Sequence, residues 1–86
     1  MSKMIPGMET KERLDLVISL TSIRSEPQQR ALKSYFVDGV NSSACAALEE
    51  IQESNFQRAI DRVQAVDSVI EKIKEIDWAR FKSENR

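Results

Sequence analysis

Apolar residues recur along this chain at spacings of three and four, which is the period of an α-helix. The first such series follows Thr10, a residue type that caps helix N-termini well, and comprises Leu14, Val17, Ile18 and Leu20. This series predicts a helix that ends near residues 21–22. Residues 1–9 have no such period, and we expect them to form a loose, flexible arm.

A second helix is predicted after Ser25, because Gln28 completes a capping box and Pro27 stands in the first turn, where its missing N–H costs nothing. Gly39 is placed to end this helix in the left-handed conformation. The apolar positions of the helix are Ala31, Leu32, Tyr35 and Phe36.

A short alanine-rich helix is predicted next, over residues 43–49, with Asn41 or Ser42 as its cap. Two turns are marginal in water, so this helix needs packing from its own apolar side chains. The side chains available for that packing are Cys45, Ala46 and Leu48.

The longest apolar series begins at Phe56 and continues at helical spacing to Ile76. Its start is ambiguous, since Ser54 forms a capping box with Gln57 while Gln52 would begin the helix two residues sooner. A second capping-box pattern at Asp67 favours a break there and a fifth helix over residues 68–82.

Composition agrees with these helices. The chain has 86 residues, of which 41% are apolar and 31% charged, with only two glycines and two prolines. That is too apolar for a disordered chain and too poor in turn formers for a protein of many hairpins. We predict an all-α, single-domain bundle of about five helices, with residues 10–86 as the helical domain.

Several chemistries are excluded by residue content. The chain has no histidine and one cysteine, so a histidine-based catalytic triad and an internal disulfide are both ruled out. We find no nucleophile beside a base, no glycine-rich phosphate loop and no metal site, and we expect neither an enzyme nor a cofactor or small-molecule substrate. Cys45 is interpreted as a buried small hydrophobe rather than a redox or metal ligand.

No segment has the length and apolarity of a secretion signal or a membrane span, so we expect a cytoplasmic protein with no membrane partner. The net charge of −1 provides no global basic field that would recruit nucleic acid. A local basic surface can still bind phosphate.

The third and fourth predicted helices have the arrangement of a helix-turn-helix over about residues 42–66, in which a short helix braces and the next enters a DNA groove. Ala46 allows the two helices to approach closely. Ile51 in the turn, with Phe56 and Ile60 behind the second helix, would form the core between them.

The residues of this region resemble a known family. Residues 39–66, GVNSSACAALEEIQESNFQRAIDRVQAV, resemble without gaps the helix-turn-helix of the PapB/KorA family of small transcriptional regulators. Upstream, SLTSIRSE and ALKSYFVDG are similar to the N-terminal half of the fimbrial regulators in that family. The resemblance implies a cytoplasmic, nucleoid-associated regulator of fimbrial (adhesin) operons that binds AT-rich double-stranded DNA as a dimer or higher oligomer.

Two residues depart from the usual motif. Glu50 stands where glycine is common in the turn, which suggests a turn of different geometry because glutamate does not favour a positive φ. Glu49 stands where an apolar residue is expected, and Leu48 is interpreted as its replacement.

The candidate DNA contacts are polar residues on the outer face of the motif and basic residues of the preceding helix. They are Ser42, Ser43, Gln52, Ser54, Asn55, Gln57, Arg58, Asp61, Arg62, Arg30 and Lys33. Arg58 and Arg62 are four apart and share a helix face, from which guanidinium groups reach guanine edges or phosphates. The alternative is that they offset Glu53 and Asp61 on a solvated surface.

Charges around this site almost cancel, with five cations against four carboxylates. The cations are Arg24, Arg30, Lys33, Arg58 and Arg62, and the carboxylates are Glu26, Asp38, Glu53 and Asp61. A single copy should therefore bind DNA weakly, and useful affinity would need several copies side by side.

The C-terminal region carries more apolar side chains than a short helix can bury against so small a domain. They are Val66, Val69, Ile70, Ile73, Ile76 and Trp78, with Phe81 beyond them. They are predicted either to form an oligomer interface or to fold back and complete the core.

The prediction from the sequence is a DNA-binding transcriptional regulator. The alternative is a small helical protein-interaction module that has kept the fold without binding DNA. The acidic residues Glu49, Glu50 and Glu53 around the turn keep that alternative open.

Overall fold

The computed structural model describes residues 4–84, and these form four helices with no strand among them. The helices are α1 (Lys11–Ser19), α2 (Glu26–Phe36), α3 (Ser42–Leu48) and α4 (Glu53–Glu84). The prediction of a small all-α domain is confirmed. The predicted count of five helices is wrong by one, because the two C-terminal segments are a single helix.

Three helices begin where a side chain accepts a backbone N–H of the first turn. Thr10 Oγ1 accepts from the Arg13 N–H at 3.2 Å, and Ser25 Oγ accepts from the Gln28 N–H at 3.4 Å. Asn41, rather than Ser42, caps α3, since its Oδ1 accepts from the Ala44 N–H at 2.9 Å. These bonds satisfy N–H groups that have no partner within the helix.

The core lies where α2, α3 and the first half of α4 meet, with α1 closing it from one side. Its fully buried large side chains come from α1, α2 and α4, and include Leu14, Val17, Leu32, Phe36, Phe56 and Val63. Tyr35 lies edge-on to both Phe36 and Phe56, with ring centroids 4.8 and 6.2 Å away. The helical periods predicted these core positions, because a helix on a core buries every third or fourth residue.

The predicted break at Asp67 does not occur. Asp67 is only 2% exposed, and its Oδ1 lies 2.7 Å from Arg13 Nη2 of α1. Arg13 Nη2 also donates to Glu71 Oε2 at 2.8 Å. Asp67 and Glu71, the two acidic residues of the segment with the capping-box pattern, therefore both face α1. A capping side chain must turn back onto its own backbone, whereas these two are engaged by another helix, and α4 continues through them.

The predicted loose arm is also wrong for residues 4–9; Met1–Lys3 lie outside the described residues. Met4 is 3% exposed, and its backbone N–H and C=O pair with the Gln64 side-chain amide at 3.2 and 3.0 Å. The N–H groups of Gly7 and Glu9 both donate to the Phe36 carbonyl, at 2.9 and 3.1 Å. This segment therefore packs across the C-terminus of α2 and satisfies one of its open carbonyls.

Gly7 and Gly39 make this crossing possible. Both have left-handed backbones, with φ of +80° and +78°. A Cβ on Gly7 would lie 3.2 Å from Gly39 Cα, so the two chains meet backbone to backbone. Gly39 thus ends the second helical region in the left-handed conformation, as predicted.

Within residues 4–84, no helix combines the length and apolarity needed to cross a membrane.

Candidate nucleic-acid interface

The turn between α3 and α4 contains a left-handed residue at Glu50, although the glutamate at this position predicted a turn of different geometry. Glu50 has φ +56°, in the left-handed region that glycine favours. The Ile51 N–H donates to the Ala46 carbonyl at 2.8 Å, and the Glu50 N–H donates to the Ala47 carbonyl at 3.2 Å. These two bonds close the C-terminus of α3, so the expectation of a different turn is wrong, and Glu50 adopts the strained conformation itself.

The interpretation of Leu48 as a replacement core residue is also wrong, since Leu48 is 73% exposed. α3 is held instead by Cys45 and Ala46, each 1% exposed. Glu49 is half-buried, and its Oε1 lies 3.0 Å from Arg30 Nε of α2. An ion pair between two helices thus stands where the motif usually has an apolar contact.

α4 begins at Glu53, directly after Gln52, and the Phe56 N–H donates to the Gln52 carbonyl at 3.0 Å. Of the two predicted starts, the earlier one at Gln52 is therefore correct. Gln52 Oε1 also accepts from Asn55 Nδ2 at 3.3 Å. Phe56 and Ile60 are buried and Ile51 is half-buried, so the predicted core between the two helices is present.

Arg58 and Arg62 lie together on an exposed side of α4. With Asn55, they line a shallow cleft whose other wall is formed by the α1–α2 loop and the first turn of α2, through Ser22, Ile23 and Gln28. Among residues 4–84, no carboxylate lies within ion-pair distance of either arginine. The cleft is therefore the place on this motif where two guanidinium groups are available to an outside anion.

Gln57 and Asp61 occupy a neighbouring side of the same helix. Gln57 Nε2 donates to Asp61 Oδ1 at 2.9 Å. Successive residues turn by about 100° around a helix, so this exposed side adjoins the arginine side, and Asp61, three residues after Arg58, is its neighbour on the helix surface. This hydrogen bond orients the Gln57 amide and occupies one of the acceptor oxygens of Asp61.

The remaining candidates lie outside the cleft. Arg30 is engaged by Glu49 and lies 3.7 Å from Glu26, so two carboxylates offset its charge. Lys33 is exposed further along α2. Ser42 is half-buried and Ser43 exposed in the first turn of α3, and Ser54 is exposed in the first turn of α4.

Ser22 and Gln28 were not among the candidates from sequence, although both line the cleft. Their local patterns marked only the end of one helix and the cap of the next. The similarity of SLTSIRSE to the fimbrial regulators was the signal that could have identified this loop.

Cys45 is a core residue. Its thiol donates to the Val40 carbonyl at 3.4 Å, and burial, with a smaller effect of Asp38, raises the pKa of the thiol above its ordinary value. A thiol with a raised pKa is a poor nucleophile and a poor metal ligand, because both roles need the thiolate.

The C-terminal apolar side chains divide into three groups. Val66 and Ile70 pack against the core, whereas Val69, Ile73 and Ile76 are 60%, 51% and 56% exposed. Trp78 lies on another side of the helix and stacks on Phe81 with ring centroids 5.5 Å apart. Residues 72–83 are all exposed, so this region does not fold back onto the domain.

Comparison with solved structures gives the fold independent support. The crystal structure of E. coli FocB matches with a TM-score of 0.79 over 87% of this chain and 85% of that chain, at 20% sequence identity. At that identity the likeness concerns the fold alone. No curated protein matches the chain significantly.

The family comparison covers most of the chain. The family model described as PapB, adhesin biosynthesis transcription regulatory protein, matches residues 1–76. That span contains every helix of the core and the whole cleft, and ends within the exposed part of α4. The chain therefore belongs to the PapB family of adhesin biosynthesis transcription regulatory proteins, which are transcription regulators and not enzymes.

Proposed function

We propose that this protein regulates transcription by binding double-stranded DNA with the N-terminal half of α4, and that Arg58 and Arg62 make the main contacts. The observation that carries the proposal is the pair of exposed arginines, one helical turn apart, with no carboxylate partner in the described chain. Phosphates and guanine edges are the groups that such guanidinium side chains bind in DNA. The proposed targets are AT-rich sites in adhesin operons, so the protein would act at the nucleoid.

The other candidate DNA contacts differ in the hydrogen bonds and ion pairs that they make within the protein. Asn55 and Gln57 carry the amides that pair with adenine, and each is oriented by a neighbour, Gln52 or Asp61. Ser42, Ser43, Ser54 and Lys33 are proposed as phosphate contacts at the edges of the interface. Arg30 contributes less than its charge implies, because Glu26 and Glu49 compete with phosphate for it.

The charge of the whole molecule sets the expected strength of binding. A net charge of −1 provides no long-range attraction to DNA, and the cleft supplies two free cations per copy. Few phosphates can then be neutralised by one copy, so single-copy binding should be weak at physiological salt. Binding by two or more linked copies multiplies these contacts without needing new ones.

The test is DNA affinity measured by fluorescence anisotropy across a salt series, with adhesin-operon promoter DNA. Arg58→Ala and Arg62→Ala should each weaken binding by about 1–3 kcal/mol and lower the salt slope by about one. Lys11→Ala is the matched control, because Lys11 is an exposed cation already paired with Asp15 at 2.8 Å. It should leave both quantities nearly unchanged.

Weak binding that ignores salt, with no loss in either arginine variant, would contradict the proposal. That result would favour a protein-interaction module, for which the exposed carboxylates of Glu50 and Glu53 at the turn would be suitable.

A further inference from the structure

The cleft between α4 and the α1–α2 loop is lined by hydrogen-bond donors on both of its walls. Arg58, Arg62 and Asn55 supply one wall, and Ser22 and Gln28 supply the other. We propose that the cleft binds one phosphate group, whose oxygens accept from the Ser22 hydroxyl and the Gln28 amide while the two arginines neutralise its charge. The assignment of that phosphate to the DNA backbone rests on the proposed function, whereas the site itself needs no DNA.

The first support is that no carboxylate lines the cleft. Its seven lining residues include none, although the chain carries 14 acidic residues against 13 basic ones. Glu26 and Asp61 lie within the two segments that form the cleft, but Glu26 lies 3.7 Å from Arg30 and Asp61 accepts from Gln57 at 2.9 Å. An anion in the cleft therefore meets two cations and no lining carboxylate.

The donors of the loop wall have no partner within the described chain. Among residues 4–84, neither the Ser22 hydroxyl nor the Gln28 side-chain amide makes a hydrogen bond, and Gln28 is half-buried. The capping bond to Ser25 uses only the backbone N–H of Gln28. A half-buried amide has lost part of its hydration, so a ligand oxygen that accepts from it restores a hydrogen bond.

Side-chain hydrogen bonds hold the loop wall in position. The buried Thr21 donates from Oγ1 to the Ile18 carbonyl at 2.6 Å and accepts from the Ile23 N–H at 3.1 Å. Arg24 Nη1 and Gln29 Nε2 both donate to the Ile23 carbonyl, at 3.1 Å each. The donors of this wall are thus positioned before a ligand arrives, which lowers the entropy lost on binding.

The shape of the cleft favours a phosphate over a base edge. The cleft has walls on two sides and a volume of about 220 Å³, and the small, buried Ala59 also lines it. Phosphates protrude from the surface of DNA, whereas base edges lie at the floor of a groove. A tetrahedral phosphate also presents oxygens in several directions, which suits donors on opposite walls, while a base edge presents its acceptors in one plane.

Phosphate binding by the full chain without DNA tests the site directly. Sodium phosphate is titrated at neutral pH while backbone and side-chain N–H signals are followed by NMR. Signals of the Gln28 amide and of the Arg58 and Arg62 guanidinium groups should shift together, with a dissociation constant of roughly 1–10 mM for a few hydrogen bonds at an open site. Sodium chloride at the same ionic strength should not reproduce these shifts.

Gln28→Glu is the discriminating variant. It keeps the side-chain length and the capping-box pattern with Ser25 but replaces the donor with a carboxylate, so phosphate binding should weaken at least about tenfold. Ser68→Glu is the matched control, because it adds the same charge at an exposed position outside the cleft and should change binding little. Gln28→Met and Ser22→Ala each remove one neutral donor and should weaken binding about two- to fivefold. Circular dichroism should show all four variants as helical as the parent chain.

Duplex binding identifies the source of the phosphate. Gln28→Met and Ser22→Ala should weaken binding about two- to fivefold on AT-rich and mixed-sequence duplexes alike, because phosphate contacts carry no sequence information. Neither should change the salt slope, since a neutral donor releases no counterion, whereas Arg58→Ala should lower it by about one. A distorted loop would instead displace the arginine contacts as well and lower the slope.

Shifts that chloride reproduces, or a Gln28→Glu variant that binds phosphate as well as the parent chain, would overturn the proposal. Phosphate binding with no loss of duplex affinity in the loop variants would reject the DNA backbone as the ligand and assign the site to the phosphate of a free small molecule. DNA binding that depends on Arg58 and Arg62 without any phosphate binding would reject this site and leave the proposed function standing. Phosphate binding without DNA binding would reject the proposed function alone.

Discussion

Glu50 adopts the unfavourable left-handed backbone conformation that the turn between α3 and α4 requires. Its φ of +56° lets the chain reverse between α3 and α4 and brings the Ile51 N–H to the Ala46 carbonyl. A side chain in this conformation crowds its own backbone by roughly 1–2 kcal/mol, a cost that glycine avoids. The packing of Phe56 and Ile60 on α3 holds the turn in place despite that cost, since both are nearly fully buried.

Glu50→Gly should therefore raise the free energy of unfolding by about 0.5–1 kcal/mol, because relief of the left-handed strain exceeds the extra entropy of glycine in the unfolded chain. Urea denaturation measures the change. Glu50→Ala is the control: it removes the charge but keeps Cβ, and should gain little. An equal gain in both variants would assign the effect to charge rather than to the backbone.

At the level of elements, the ion-pair cluster between α1 and α4 decides where the helices meet. Arg13 lies within 2.8 Å of both Asp67 and Glu71, and 3.3 Å from Glu9. These carboxylates, Asp67 foremost, raise the pKa of the guanidinium above its already high value, so Arg13 is a cation at neutral pH. Asp67 Oδ1 is buried with no aligned hydrogen-bond donor among residues 4–84, so the charge of Arg13 is what stabilises it there.

Arg13→Met should lower the free energy of unfolding by about 2–3 kcal/mol, because it leaves the Asp67 carboxylate buried without a counter-charge. The loss is below that of a fully buried pair because Arg13 is 33% exposed. Adding Asp67→Leu should recover most of it in urea denaturation. Lys11→Met, which breaks an exposed pair on the same helix, should have no measurable effect. Absence of recovery in the double variant would show that the unpaired Asp67 carboxylate is not the source of the loss.

The whole molecule separates into two regions along one helix. The first half of α4 belongs to the compact body and carries the cleft with Arg58 and Arg62, while residues 72–83 of the second half are exposed. The cleft has two cations without a carboxylate partner among residues 4–84, and the whole chain, those two included, has a net charge of −1. If the cleft binds DNA as we propose, affinity should increase mainly when more than one copy of the cleft is present on the same DNA.

The proposed binding by more than one copy predicts how a variant on the exposed apolar side of α4, formed by Val69, Ile73 and Ile76, should behave on DNA. Ile73→Glu should bind a duplex with a single site as tightly as the parent chain, because the substitution lies outside the cleft. On a duplex with two adjacent sites it should bind about tenfold or more weakly, since the two copies no longer reinforce each other. Anisotropy on the two duplexes measures both, with Ser68→Glu, which adds the same charge at an exposed position elsewhere on α4, as control. A variant weakened equally on both duplexes would indicate that the substitution disturbs the cleft.

The sequence by itself determined the features that depend on neighbours along the chain. Thr10, Ser25 and Asn41 cap their helices through bonds to residues three positions away. The period of apolar residues identified the core faces, and with the turn it located the helix-turn-helix and placed Arg58 and Arg62 on its outside. Such bonds and periods are short-range, so they can be read from local order.

Only the tertiary structure decided which of several local options is realised. Arg13 and Glu71 are 58 positions apart, yet their contact keeps α4 intact where a capping box favoured a break. The hydrogen bond between Met4 and Gln64 likewise orders a segment that has no periodic pattern. Arg30 pairs with Glu49, so its charge is partly offset before any DNA is bound. Each outcome depends on charges and hydrogen-bond partners brought together by folding, and no local pattern contains them.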